Sequence, residues 1–190
     1  MIQRLWCFSL WVLVAGVCLP VQAMELAGVN VDERVHVGNA ELVLNGAGLR
    51  TRLMFKVYVA ALYLPHRSSI AEDIIGKAGS RRVVLKMLRD VDGDTLLGAL
   101  KEGLRDNHST AQMQALQAGL GELTRVFQSV GTAKTGDSVV LDIGPEGLVV
   151  AINGTLRGQV ADEAFGRAML KIWLGEKPVD SSLKKALLGV

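Results

Sequence analysis

The segment Glu41-Leu-Val-Leu-Asn-Gly-Ala-Gly-Leu-Arg50-Thr-Arg-Leu-Met-Phe-Lys-Val-Tyr-Val-Ala-Ala-Leu-Tyr-Leu64 decides the fold, because it reads as two adjacent β-strands. Asn45-Gly46 and Gly48 lie in the first strand, where they allow a bulge or a close approach of another backbone. The second runs from Arg52 to Leu64 and alternates. Phe55, Val57, Val59, Ala61 and Tyr63 face one way, and Met54, Lys56, Tyr58, Ala60 and Leu62 the other. Both faces are largely apolar, as expected of a central strand covered on each side. Pro65 ends it.

Working outward, Arg82 to Arg89 alternates again and predicts a third strand. After Asp92-Gly93 the period becomes helical. Leu96, Leu97, Leu100 and Leu104 make one face of a short helix. Ser109 and Gln112 have capping-box spacing, and Met113, Leu116, Leu120, Leu123, Phe127 and Val130 follow in steps that predict one continuous helix. Gly119 and Gly121 lie within it, a cost of about 1 kcal/mol each relative to alanine that tight packing against a neighbour would explain. Ser138–Ile143 and Leu148–Ile152 flank Gly144-Pro145-Glu146-Gly147, a hairpin signal, and Asn153-Gly154 leads into a strand from Thr155 to Val160. Asp162 caps a helix that buries Phe165, Met169 and Ile172 and stops at Gly175; Pro178 and Asp180 introduce a last short helix. Hairpin-linked strands with helices grouped between and after them indicate an α+β sandwich, an antiparallel sheet with helices on one side.

The first 23 residues have a different character. Arg4 precedes an apolar stretch from Leu5 to Leu19, Pro20 ends it, and Val21-Gln22-Ala23 offers a cleavage site. The expected organisation is a signal peptide over residues 1–23 and one domain over 24–190, located in the periplasm or secreted. The apolar stretch is shorter than the ~20 residues that span a bilayer, so no stable membrane insertion is expected after cleavage. Both cysteines, Cys7 and Cys18, leave with the leader, so the domain has neither disulfide nor thiolate ligand. The three histidines, His36, His66 and His108, lack metal-site spacing, and a formal net charge of +2 gives no reason to expect a nucleic-acid-binding face. Neither metal nor cofactor is expected, and the oligomeric state is open.

Leu44-Asn-Gly-Ala-Gly-Leu-Arg50 followed by Lys56-Val-Tyr-Val-Ala-Ala-Leu-Tyr-Leu64 resembles the opening strands of the chalcone isomerase family. Asn153-Gly154, Phe165, Ile172-Trp-Leu-Gly-Glu-Lys-Pro-Val179 and Ser182-Leu-Lys-Lys-Ala-Leu-Leu188 resemble its bacterial chalcone-isomerase-like branch. The resemblance implies an open-faced sandwich, a large antiparallel sheet with helices packed on one face and a ligand cleft between. It also implies two activities to weigh. Plant members close a flavanone ring using a turn arginine, a strand threonine, a tyrosine and polar helix residues. Here Arg50 matches the arginine, but Tyr58 stands at the threonine position, no tyrosine lies near Asp94 or Thr95, and Ile172 occupies a polar helix position. The fatty-acid-binding relatives pair the arginine with a strand tyrosine to hold a carboxylate, and Arg50 and Tyr58 match that pair.

The expected function is therefore non-catalytic binding of a small amphipathic anion, such as a fatty acid, with Arg50 and Tyr58 as ligand-binding residues and no catalytic residue. A guanidinium fork grips a carboxylate in two places and a phenol adds a third hydrogen bond. An intramolecular lyase acting on a chalcone-like enone and an interaction module without ligand turnover are the alternatives. Plainer readings stand beside these. Arg50 after a glycine turn also reads as a surface residue, Tyr58 and Tyr63 on an apolar strand as core residues with hydroxyls satisfied at the rim, and Trp173 near the end of its helix as packing. Lys56 either reaches solvent or adds charge to the cleft.

Overall fold

The computed structural model describes residues 24–190. The proposed signal peptide lies outside the described residues. Three short N-terminal strands, β1 (Met24–Leu26), β2 (Val29–Val31) and β3 (Arg34–Val37), precede the long pair β4 (Ala40–Arg52) and β5 (Phe55–Leu64). Then come α1 (Ala71–Gly76), β6 (Arg81–Met87), β7 (Val91–Asp92), α2 (Gly93–Asp106), α3 (Thr110–Ala115), α4 (Gln117–Gln128) and β8 (Thr132–Ala133). The chain closes with β9 (Ser138–Gly144), β10 (Gly147–Ile152), β11 (Thr155–Val160), α5 (Glu163–Leu174) and α6 (Ser181–Leu187).

Seven of these strands form one curled antiparallel sheet in the order β11-β10-β9-β6-β5-β4-β3, with β5 near its middle, as its two apolar faces require. The helices cover one face, over Tyr58, Ala60, Leu62, Leu85, Leu141 and Val150. This is the α+β open-faced sandwich expected from the sequence. The other face has a smaller core of Leu42, Leu44, Val59, Ala61 and Tyr63, joined by Val31 from the β1–β2 hairpin. Tyr63 donates its hydroxyl to the Asp32 carbonyl at 2.9 Å, and burial pushes its phenol up to about 12. The N-terminal hairpin has strands of three residues each, too short for a periodic pattern to mark them in the sequence.

Gly46 and Gly48 explain how α6 reaches the sheet. Both point to the helix face of β4, and a Cβ on Gly46 would lie 2.1 Å from the Ala186 carbonyl oxygen. On Gly48 it would lie 2.7 Å from the Ala186 Cβ. Buried Asn45 fastens the far end of α6, donating to the Leu187 carbonyl at 2.7 Å and to that of Ser68 at 3.0 Å. The pairing of β4 with β5 also slips between Leu44 and Gly46, so the expected bulge and the expected close approach are both present.

Three expectations need correction. The helix expected from Met113 through Val130 is two helices that meet at Leu116, whose ψ of −2° departs from the helical value near −42°. The expected capping box starts the first of them. Gly119 does admit a neighbour, since its Cβ would meet the Phe165 ring at 2.4 Å, but Gly121 has no atom within 4 Å and packing does not explain it. The alternation of β5 also breaks. A second slip between Arg50 and Thr51 leaves Val57 unpaired and turns it toward the helix-side core, and Met54 lies in the turn rather than beside Tyr58.

Candidate functional site

The site forms where the β4–β5 pair emerges from beneath α6. Arg50 and Tyr58 are direct cross-strand partners, so their side chains share the helix face. Gly46, Gly48 and Arg50 alternate along the same face; the two glycines let α6 lie flat, and its first turn therefore arrives at the arginine. Asp180, the residue before that turn, caps it through Oδ1, which accepts from the amides of Ser182 at 3.0 Å and Leu183 at 3.1 Å and from the Ser182 hydroxyl at 2.6 Å. Its other oxygen, Oδ2, stands 3.4 Å from Arg50 Nη1. Burial alone would raise the Asp180 carboxyl, but the donations from the Ser182 hydroxyl and the amides of Leu183 and Ser182 outweigh it and hold the group below its ordinary value. Asp180 is an anion beside the arginine.

Arg50 is only partly engaged by these contacts. Nη1 donates to the Thr51 carbonyl and makes the long contact with Asp180; Nε and Nη2 make no hydrogen bond of normal geometry to a described residue, and the guanidinium lies near enough to the Tyr58 oxygen to draw its phenol down. Trp173, fully buried on α5, donates Nε1–H to the Tyr58 oxygen at 3.2 Å. That bond occupies an acceptor lone pair and leaves the phenolic proton available, and no described residue accepts it. Burial pushes the Tyr58 phenol up, with Trp173 and Arg50 opposing, so the group remains a neutral donor at physiological pH.

Arg50 and Tyr58 line a cleft of about 80 Å³ between the sheet and the helices α2 and α5. Val57, Leu85, Leu96, Leu100 and Ile172 make its walls apolar, with Thr95 and Arg52 also on the lining. The arrangement is a pair of convergent donors in an apolar slot, which suits an anion with a hydrocarbon body. Among the described residues that line it, the cleft has no nucleophile paired with a general base, as an acyl or phosphoryl transfer would need. A wider depression of about 410 Å³ lies between α1 and β6, but its buried arginine, Arg81, already donates to the carbonyls of Ile74 at 2.6 Å and Gly79 at 2.8 Å. There the arginine holds the chain together.

The sequence profile described as chalcone isomerase-like matches residues 23–189. The chain belongs to the chalcone isomerase-like family. Among solved structures, this family member is similar to a fatty-acid binding protein of Arabidopsis thaliana. The TM-score is 0.68 at 16% identity, covering 88% of this chain and 96% of that one. At that identity the likeness concerns the fold. A comparison with curated proteins finds no match.

The structure brings both expected site residues together and adds two that sequence reasoning missed. Trp173, which the sequence marks only as packing, orients the Tyr58 hydroxyl. Asp180 was read only as a helix cap, which it is, but its second oxygen reaches a residue 130 positions away. Lys56 does not line the cleft and is exposed. No group of three or more His, Cys, Asp or Glu residues is placed to hold a metal among the described residues.

Proposed function

We propose that this protein binds a small amphipathic anion, of which a fatty acid is the simplest example, and does not transform it. One observation carries the reading: the Arg50 guanidinium, hydrogen-bonded through Nη1, and the Tyr58 hydroxyl, whose proton no described residue accepts, are cross-strand partners that line one apolar cleft. A carboxylate there accepts from both, and charge-assisted bonds of this kind are roughly twice as strong as neutral ones. The fatty-acid-binding protein that shares the fold supports the same class of ligand. The cleft is smaller than the ~300–1,000 Å³ usual for ligand sites. That volume suits the head and first methylenes, so a longer tail requires α2, which contributes Thr95, Leu96, Ala99 and Leu100 to one wall, to move outward.

Asp180 opposes such a ligand, because it places a like charge beside the incoming carboxylate. Asp180→Asn retains a good helix cap, removes the competing charge and is expected to tighten binding about tenfold. Native mass spectrometry with added palmitate tests the proposal. A one-to-one adduct is expected, more abundant in Asp180→Asn; absence of any adduct in either protein would contradict it. We also place the protein outside the cytoplasm, on the strength of the Val21-Gln22-Ala23 signal. Terminal sequencing of the soluble periplasmic protein is expected to begin at Met24, and an intact Met1 there would refute export by cleavage.

A further inference from the structure

The turn between β4 and β5 breaks two rules of a soluble hairpin. Arg52 pairs with Phe55, so Leu53 and Met54 form a two-residue loop. Leu53 occupies its first position with φ +56°, where a tight hairpin prefers glycine. It is nevertheless leucine, 89% exposed, followed by Met54 at 90% and Phe55 at 57%. Three consecutive large apolar side chains project into solvent, one of them in a left-handed conformation that leucine disfavours. Nothing in the packing of the domain requires them.

Cations surround this tip. Arg52 and Lys56 flank it on the two strands, and Arg89 lies over the Phe55 ring at 4.9 Å. All three are exposed, and none forms an ion pair with a described carboxylate. The small net charge of the whole chain conceals this local concentration. Arg52 and Val57, at the base of the same hairpin, also line the Arg50 cleft. An apolar point within a basic collar matches the layers of an anionic bilayer, with hydrocarbon beneath phosphate.

We propose that the Leu53-Met54-Phe55 tip docks this protein on anionic lipid membranes, with the cleft opening beside the surface from which an amphipathic anion is taken. The occupant is a lipid surface rather than a second copy, because three uncompensated cations would repel their counterparts across a symmetric contact. No helix among the described residues is long and apolar enough to cross a membrane, and the docking is peripheral. The choice of ligand source rests on the function proposed above; the docking itself does not.

Vesicle cosedimentation tests the docking on the protein as purified, every variant carrying the same N-terminus. The parent is expected to bind phosphatidylglycerol vesicles more tightly than phosphatidylcholine vesicles and to release them as salt rises. Leu53→Gly with Met54→Ser is expected to weaken binding at least about tenfold, and Lys56→Gln with Arg89→Gln about tenfold on the anionic vesicles only. In Met54→Trp, the emission gained over the parent is expected to shift to the blue and to be quenched by brominated acyl chains. Equal vesicle binding by the tip variant and the parent, or a tryptophan at position 54 untouched by the quencher, would overturn the proposal. Tip-dependent self-association without vesicle binding would also overturn it, in favour of a second copy. Binding of decanoate in vesicle-free solution separates this proposal from the ligand-binding one. The tip variant is expected to retain it, and its absence from every protein would refute the ligand reading while leaving tip-dependent docking intact.

Discussion

Gly46→Ala is expected to lower the unfolding free energy by about 3 kcal/mol. The added methyl would lie 2.1 Å from the Ala186 carbonyl oxygen and 2.8 Å from that of Leu187. Both are backbone atoms, so no side-chain rotation relieves the clash. Nor can α6 slide away freely, because Asn45 holds the Leu187 carbonyl at 2.7 Å, and breaking that bond leaves one N–H of a buried amide without its partner. Overpacking alone costs ~1–3 kcal/mol and a lost buried partner another ~1–3. Gly121→Ala is the matched control. It sits inside α4 with no heavy atom beyond its own helix backbone and chain neighbours within 4 Å of the new methyl, and is expected to stabilise by about 0.5–1 kcal/mol. Urea unfolding midpoints measure both; a Gly46→Ala midpoint equal to the parent's would contradict the seating of α6 described above.

Arg50→Ala is expected to weaken fatty-acid binding by about ten- to a hundredfold. The side chain is partly shielded from water, and a hydrogen bond to a charged group contributes roughly 1.5–3 kcal/mol there, with ~1.4 kcal/mol per factor of ten. Arg50→Lys recovers part of the loss, because an ammonium keeps the charge but cannot reproduce the planar fork. Tyr58→Phe costs least. It removes one neutral donor and the acceptor of the Trp173 bond while keeping the ring in its packing. The order of the three distinguishes an anion anchor from a structural turn residue, because a turn residue lost to alanine would change stability without ranking ligand affinity.

Much of this architecture was legible in the sequence, for identifiable reasons. The long strands announced themselves through period-two patterning, and the α5 and α6 starts through Asp162 and Asp180 as caps. Gly46 and Gly48 signalled a close approach without saying what approaches. What escaped the sequence depended on register. The slip beside Arg50 turned Val57 into the cleft wall and put Met54 in the turn, and strand alternation cannot show such a slip in advance. The break at Leu116 escaped because apolar spacing continued across it. Arg50 and Tyr58 were visible through the family resemblance alone. Asp180 and Trp173 lie more than a hundred residues from the groups they touch, and their capping and packing roles accounted for them fully in sequence.

The most direct test of the anion site is a calorimetric titration of decanoate into the parent and into Arg50→Ala, both verified as folded by their unfolding midpoints. The account predicts saturable one-to-one binding by the parent and a dissociation constant raised about ten- to a hundredfold in the variant. Equal affinity in the two proteins, or no binding by the parent, would contradict it.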